Sequence, residues 1–128
     1  MGYYLSKKLE TTFDEAIDKV TIALQEKGFG VLTKINVKET FRKKLDIDFR
    51  KYSILGACNP TFAHSALQAE DKIGTMLPCN VIVQEIAEGK IEVAAVDPIA
   101  SMQAVENPKL ADLANEVRAM LEDVIEKL

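Results

Sequence analysis

The sequence predicts an α+β fold, with a mainly antiparallel sheet and helices packed on one face. Strand-like and helical segments follow in the order β-α-β-(α)-β-(α)-β-β-α, and the tight turn between the last two strands makes them antiparallel. No Gly-rich phosphate loop is present, which disfavours a doubly wound parallel fold. With 128 residues, 48% of them hydrophobic, the chain is long enough for one domain, predicted over residues 1–128.

The first strand and the first helix are predicted by alternation and by capping residues. Residues 3–9 alternate and are aromatic at their start, which indicates a strand. Thr12 and Glu15 have the spacing of a capping box, and apolar residues follow at helical intervals. Gly28 occupies the position of a helix-terminating glycine, so we expect the helix to end there.

The middle of the chain predicts two more strands and two more helices. Residues 31–37 form the second strand, and the charged segment 38–50 has the apolar spacing of one short helix. Residues 52–58 are apolar on both faces, which predicts a central strand. A helix is predicted over 61–73, and Gly74 ends it.

The last third predicts a hairpin and a long helix. Residues 80–87 and 90–96 are strands joined by a two-residue turn with glycine second. Residues 99–106 are expected to form a linker without regular structure. Asn107 is the predicted cap of the last helix, in which Pro108 occupies the first turn.

Composition and charge exclude several classes of protein. The net charge of −4, with a pI near 5.1, disfavours a dedicated nucleic-acid binder. No long uncharged apolar run could span a membrane, and no apolar segment behind the first lysines marks a secretory signal. A cytoplasmic protein with reduced thiols is therefore expected. No HExxH, GxSxG, Walker or EF-hand pattern identifies an enzyme, so catalytic activity stays open.

Cys58, His64 and Cys79 form the most chemically suggestive group. Cys58 ends a predicted strand, His64 lies one turn into the next helix, and Cys79 begins another strand. If the strands are neighbours, two thiolates and an imidazole could bind zinc or another thiophilic metal. The two thiols could also form a redox pair. The alternative is that both cysteines are small buried core residues.

A basic segment stands in this acidic chain. Residues 34–51 hold seven basic and three acidic side chains, a net charge of +4. Such a segment can form a local anion-binding patch, although a solvated helix face explains the charges equally simply. The candidate patch consists of Lys34, Lys38, Arg42, Lys43, Lys44, Arg50 and Lys51.

The predicted strands have more apolar surface than one layer of helices would cover. A second apolar sheet face is a natural homodimer surface, so we expect a homodimer unless other segments cover it. The residues that suggest this surface are Tyr52, Ile54, Leu55, Val81, Ile82, Val83, Ile86, Val93 and Val96.

The central segment resembles the family called domain of unknown function 302. The resemblance rests on 52–60 (YSILGACNP), Ala63-His64, Ala66-Leu67, Ile73-Gly74 and 77–81 (LPCNV), and it extends over the whole chain. It implies a β-α-β4-α sheet with inserted helices, in the TATA-binding-protein-like fold group, and a homodimer. It implies no activity.

Two functional hypotheses follow. The first is a protein that binds a small molecule or a metal through Cys58, Asn59, His64 and Cys79. The second is a dimeric interaction or structural module without catalytic activity, acting through the apolar sheet face or the basic segment 34–51. Neither hypothesis includes nucleic acid or a membrane as a partner.

Overall fold

The fold is organised around a five-stranded antiparallel sheet. The computed structural model describes residues 2–128; Met1, the first residue of the predicted domain, lies outside the described residues. The strands have the spatial order β1-β5-β4-β3-β2, and all four neighbouring pairs are antiparallel. Their bounds are β1 Tyr4–Glu10, β2 Gly30–Asn36, β3 Tyr52–Cys58, β4 Cys79–Ala87 and β5 Lys90–Val96. The predicted α+β class is confirmed.

Within the described residues, five α-helices and one 3₁₀ helix connect and flank the strands. The long helices α1 and α5 pack on one face of the sheet, as predicted. Among residues 2–128, no helix is long and apolar enough to cross a membrane. The helices are α1 Phe13–Glu26, α2 Val37–Leu45, α3 Pro60–Ala69, the 3₁₀ helix Asp71–Met76, α4 Pro98–Ser101 and α5 Pro108–Glu126.

The core lies between the sheet and the helices α1 and α5. Alternate residues of each central strand point into it, so that Leu55, Val81 and Val93 are almost completely buried. Val20 of α1 and Leu121 of α5 pack against them from the helix side. Each such fully buried aliphatic side chain contributes about 1.5–3 kcal/mol. This helix-covered face, which we call the inner face, therefore provides most of the apolar stabilisation.

The ends of α1 follow the predicted capping residues. The hydroxyl of Thr12 accepts a hydrogen bond from the backbone N–H of Glu15 at 3.2 Å. At the other end Gly28 has φ +81°, and the N–H of Phe29 donates to the carbonyl of Leu24 at 2.9 Å. This is the Schellman arrangement, which satisfies carbonyls at the helix terminus. It also buries Phe29, whose exposed fraction is 2%.

The helix predicted over 61–73 is wrong in its last four residues, and it does not end at Gly74. The chain leaves α3 after Ala69, because Glu70 has extended backbone angles (φ −150°, ψ 105°). The 3₁₀ helix that follows still buries Ile73, which packs with Ala66 and Leu110 in a small second core. Ile73 is therefore buried by the 3₁₀ helix and not by a continuation of α3.

The segment predicted as an irregular linker begins with the short helix α4. Asp97 precedes this helix and is almost completely buried, with 6% of its surface exposed. One carboxylate oxygen accepts from the N–H of Ile99 at 2.9 Å, and the other accepts from Nε of Arg118 at 3.1 Å. Asp97 thus caps α4 and links the end of β5 to α5.

The opposite side of the sheet, which we call the outer face, is only partly buried. The strand registers align Ile35, Ile54, Ile82 and Ala94 in one row across four strands. Ile35, at the β2 edge, is 48% exposed. The helices that cover the inner face leave this apolar row accessible.

Candidate functional site

A small apolar cavity lies where β3 ends and β4 begins, between α3 and α5. Its lining includes Cys58, Asn59 and Cys79, together with aromatic and aliphatic residues such as Phe62 and Met102. None of the lining residues is charged, and the cavity volume is about 40 Å³. We call this cavity the thiol pocket, because both cysteines of the chain line it.

The register of the sheet brings the two cysteines together. β3 and β4 are antiparallel neighbours, and Cys79 pairs with Ala57, the residue directly before Cys58. Both cysteines are half-buried and neither forms a disulfide. Both residues therefore lie at the same end of neighbouring strands, at consecutive register positions.

Burial changes the chemistry of Cys79. Desolvation, with a smaller contribution from the charge of Cys58, raises the pKa of the Cys79 thiol from 9.0 to about 11. The thiol is therefore protonated at neutral pH. The thiolate is the form of cysteine that acts as a nucleophile or binds a metal. Cys79 is therefore poorly suited to either role.

The structure does not bring His64 to the two thiols. Phe62, Ala63 and Ala66 of α3 face the pocket, whereas His64 is exposed and does not line it. Successive helical residues are about 100° apart, so His64 lies opposite the positions that contact the pocket. Within residues 2–128, no group of three or more His, Cys, Asp or Glu side chains is placed to hold a metal ion. The three-ligand zinc cluster expected from Cys58, His64 and Cys79 is not assembled.

Asn59 has a structural partner that the sequence did not indicate. Its amide nitrogen donates to the backbone carbonyl of Lys27 at 3.3 Å, while no side-chain hydrogen bond from Asn59 caps α3. A Cβ at Gly28 would lie 3.1 Å from the same amide nitrogen. Asn59 therefore ties the end of α1 to the start of α3. This hydrogen bond leaves it less available to a ligand.

No residue of the basic segment 34–51 lines the thiol pocket. Lys38 pairs with Asp48 at 2.8 Å, and Arg42 pairs with Asp46 at 3.3 Å. The hydrogen bond from Lys38 lowers the pKa of Asp48. Lys34, Lys43, Lys44 and Lys51 are exposed and lie outside the salt bridges of the described chain.

Arg50, the remaining basic residue of the segment, is held by its neighbours. Its guanidinium carbon lies 4.5 Å from the ring centroid of Phe49 and 5.5 Å from that of Tyr52. Its Nε donates to the side-chain oxygen of Gln84 at 2.8 Å, and Gln84 donates onward to Glu92 at 2.9 Å. These contacts orient Arg50 towards the outer face of the sheet.

The outer face contains a wide depression of about 380 Å³. All three tyrosines of the chain, Tyr3, Tyr4 and Tyr52, line it. Its polar lining residues include Gln84 and Glu92, joined by the hydrogen bond described above. Sequence reasoning missed the contributions of Tyr3, Tyr4 and these polar residues. Their placement depends on the β1–β5 and β4–β5 registers, which local alternation does not specify.

The apolar strand surface expected to be exposed is divided between the two faces. Leu55, Val81, Val83 and Val93 point to the inner face and are buried against the helices. Of the other residues, Tyr52, Ile54, Ile82 and Val96 are half-buried and Ile86 is 44% exposed. The alternation of strand side chains explains this division. The uncovered apolar surface is therefore smaller than the nine residues suggested.

Sequence reasoning also missed the far wall of the thiol pocket. Met102, Leu110 and Leu113 reach the pocket from the segment after β5 and from α5. They are more than 20 positions from either cysteine. Met102 lies in the segment predicted as a linker, and the spacing of Leu110 and Leu113 indicated only a helix face. Nothing in the local sequence identifies them as pocket residues.

Comparisons with known proteins find a matching family model and similar solved structures. The model of a family described as "Domain of unknown function DUF302" matches residues 5–128. The crystal structure of an uncharacterized conserved protein DUF302 from Bacillus stearothermophilus has a TM-score of 0.91 and 25% sequence identity to the chain. The alignment covers 99% of this chain and 98% of that chain. No curated protein matches the chain.

Proposed function

The chain belongs to the DUF302 family, and from that premise we propose that it binds a small, uncharged apolar molecule in the thiol pocket. The family description assigns no activity, so the proposal depends on the pocket alone. The observation that carries it is an apolar cavity, without charged lining residues, that both cysteines of the chain line.

The lining sets the polarity of the ligand. An ion in this cavity would lose its hydration and find no opposite charge among the lining residues. The Cys79 thiol is neutral because burial raises its pKa to about 11. The amide of Asn59 is engaged with the carbonyl of Lys27. An uncharged, mainly apolar ligand is therefore the best match.

The volume sets the size of the ligand. A cavity needs a volume of about 10–15 Å³ to hold one water molecule, whereas the thiol pocket has a volume of about 40 Å³. The space suits a molecule, or the end of a molecule, of a few heavy atoms. Cys58 and Asn59 are only half-buried, so the pocket can be reached from their side.

The proposal is tested with xenon and 1-butanol, two small uncharged apolar probes. Met102 lines the pocket, so its side-chain methyl group, labelled with ¹³C, should shift in NMR spectra on addition of either probe. The shift should be saturable, because the number of sites is limited. Met120, packed at the edge of the main core, serves as the internal reference.

A pocket-filling variant separates specific binding from general solvent effects. Ala63→Leu adds volume inside the pocket. The affinity for each probe, obtained from the saturable shift at Met102, should fall about tenfold, which corresponds to about 1.4 kcal/mol. Ala119→Leu makes the same change on the exposed side of α5 and should leave binding unchanged. Equal binding by the two variants, or no saturable shift in the parent protein, would contradict the proposal.

Homodimerisation through the outer face is a second candidate, favoured by the row Ile35, Ile54, Ile82 and Ala94. Five strands of about seven residues give a flat projection of roughly 500 Å², from strand spacings near 4.8 Å and a rise near 3.3 Å. A stable interface buries about 800 Å² per partner, so side chains around the rim would also have to contribute. The dimer is therefore proposed as a concentration-dependent one.

A further inference from the structure

We propose that the depression on the outer face is a second ligand site, which binds an elongated apolar amine. Such a ligand has one protonated amino group at the end of an aromatic or aliphatic body. Three tyrosines and one carboxylate line the depression. The site differs from the thiol pocket in position, volume and charge, so this inference does not rest on the ligand proposed for that pocket.

The carboxylate of Glu92 is the group that would bind the ammonium. Of the described residues that line the depression, Glu92 alone is charged. It is half-buried, and no salt bridge within residues 2–128 includes it, although Lys8 lies opposite it in the register of β1 and β5. A half-buried carboxylate is stabilised by a cation that also donates hydrogen bonds to it. A ligand with an ammonium group supplies such a cation.

Gln84 holds this carboxylate in one orientation. The side-chain oxygen of Gln84 accepts from Nε of Arg50 at 2.8 Å, and its nitrogen donates to one carboxylate oxygen of Glu92 at 2.9 Å. Arg50 is fixed in turn by the rings of Phe49 and Tyr52. The amide therefore lies between the guanidinium and the carboxylate. A carboxylate positioned in this way loses little further freedom when it binds a cation.

The tyrosines supply an aromatic surface for the body of the ligand. The rings of Tyr3 and Tyr4 lie edge to face, with centroids 5.1 Å apart and planes at 75°. Their exposed fractions are 72% and 47%, so both rings are accessible to a ligand. Tyr52, Ile82 and Ala94 add further apolar lining. Ligand sites are typically concave and mostly apolar with a few placed polar groups, and aromatic faces attract organic cations.

The strand register sets the length of the ligand. Tyr4 pairs with Val96 and Lys8 pairs with Glu92, so the tyrosine end and the carboxylate end are four residues apart along β5. At a rise of about 3.3 Å per residue, this separation is about 13 Å. Because the tyrosine and glutamate side chains extend into this space, an amine with a length of roughly 10 Å spans it.

The test is a titration with 4-phenylbutylamine, observed by NMR of tyrosine rings labelled with ¹³C. All three tyrosines of the chain line the depression, so their ring signals should shift saturably. 4-Phenylbutanol has the same body without the charge, and benzylamine has the charge on a short body. Each should bind at least about tenfold more weakly than 4-phenylbutylamine. The protein is kept dilute, because a second copy on the outer face would compete with the amine.

Three variants separate the charge from the aromatic surface. Glu92→Gln keeps the size of the side chain and should lower the affinity for 4-phenylbutylamine to that of 4-phenylbutanol. Glu88→Gln makes the same change in the exposed turn between β4 and β5 and should leave the affinity unchanged. Tyr3→Ala removes an exposed ring and should weaken the binding of 4-phenylbutylamine and 4-phenylbutanol alike. Circular dichroism establishes that each variant is folded.

Several results would overturn the inference. These are equal affinities for the amine and the alcohol, equal affinities of Glu92→Gln and Glu88→Gln, or the absence of a saturable shift at the tyrosine rings. Tighter binding of 4-phenylbutyrate than of 4-phenylbutylamine would also overturn it, because the site would then prefer an anion. Binding in the thiol pocket is observed at Met102, which does not line the depression, so either proposal can fail while the other holds.

Discussion

Cys79 shows how burial alone can set the chemistry of a single residue. Cys79 is the first residue of β4 and lines an apolar cavity. Removal from water raises the pKa of its thiol to about 11. The folded chain therefore binds this thiol proton more tightly than the unfolded chain does. A difference in proton affinity between two states makes their equilibrium depend on pH.

We predict that folding stability falls at alkaline pH because of this thiol. The contribution is complete below pH 9.0, the ordinary value, and is lost as the pH rises through the folded value of about 11. Two pK units correspond to roughly 2–3 kcal/mol. Urea unfolding of the reduced protein at a series of pH values should show this decline.

The control for this prediction is the difference between variants. Cys79→Ala should lack that part of the alkaline decline. Cys58→Ala should keep most of it, since desolvation is the larger cause of the shift and the charge of Cys58 the smaller. If the parent and Cys79→Ala lose stability in parallel, the proton on Cys79 is not coupled to folding.

Single residues also show where sequence reasoning ends. Cys58 and Cys79 could be predicted to lie at strand ends, but local sequence left open whether those strands are neighbours, which the sheet order decides. The failure at His64 has a different cause. Successive residues of a helix differ in direction by about 100°. The start of a helix can be predicted only to within one or two residues, so the direction of the His64 side chain could not be predicted.

Among the elements, β5 and α5 are connected through one buried carboxylate. Asp97 follows β5, caps the short helix α4 and accepts from Arg118 of α5. The side chain of Arg118 also donates to Glu122 at 2.9 Å, but Glu122 is 45% exposed whereas the side chain of Asp97 is 9% exposed. Hydrogen bonds to buried charged groups contribute more than those at the surface.

We predict that Asp97→Ala destabilises the fold by roughly 2–4 kcal/mol, from the lost cap and the lost bond to Arg118. The matched control is Glu122→Ala, which removes the exposed partner of the same arginine and should cost less than about 1 kcal/mol. Urea midpoints measure both changes. A similar cost for the two variants would mean that Asp97 does not hold α4 and α5 to the sheet.

Sequence patterns predicted most element boundaries where a cap or a glycine marks them. Thr12, Gly28 and Asn107 each stand at an observed helix end. The start of α4 has the same signal, because Asp97 and Pro98 repeat the cap and proline of Asn107 and Pro108, but sequence reasoning missed it. The early end of α3 has no comparable signal. Glu70 is a good helix former, and the packing of Ile73 into the second core takes precedence over that local preference.

At the scale of the whole molecule, the two faces of the sheet differ in how much of their surface is covered by helices. The inner face packs against α1 and α5, while the outer face exposes an apolar row and the tyrosine-lined depression. The sequence predicted the surplus of apolar strand surface but not its division. That division depends on which neighbours each strand pairs with, and pairing is a property of the whole sheet.

We predict that tyrosine fluorescence reports association through the outer face. The chain has no tryptophan, and its three tyrosines all line the outer-face depression. If a second copy covers that face, the tyrosine emission should change with protein concentration in step with the mass measured by sedimentation equilibrium. A monomer at all concentrations would exclude the proposed dimer.

Two surface variants locate the interface. Ile35→Glu places a charge at the end of the apolar row, where the native side chain is 48% exposed, and should weaken the dimer at least about tenfold. Ile22→Glu makes the same change on α1, where the side chain is 57% exposed, and should have no effect. Equal dissociation by both variants would place the interface elsewhere.

The position of β1 in the sheet has a consequence for synthesis of the chain. β1 is the first strand to leave the ribosome, yet its partner is β5, with Tyr4 opposite Val96. Non-local pairing of this kind is slow and comes late in folding. β1 must therefore remain unpaired, with its backbone exposed, until β5 has been made. Its consecutive residues Lys7 and Lys8 keep this segment charged, which opposes aggregation while the rest of the sheet assembles.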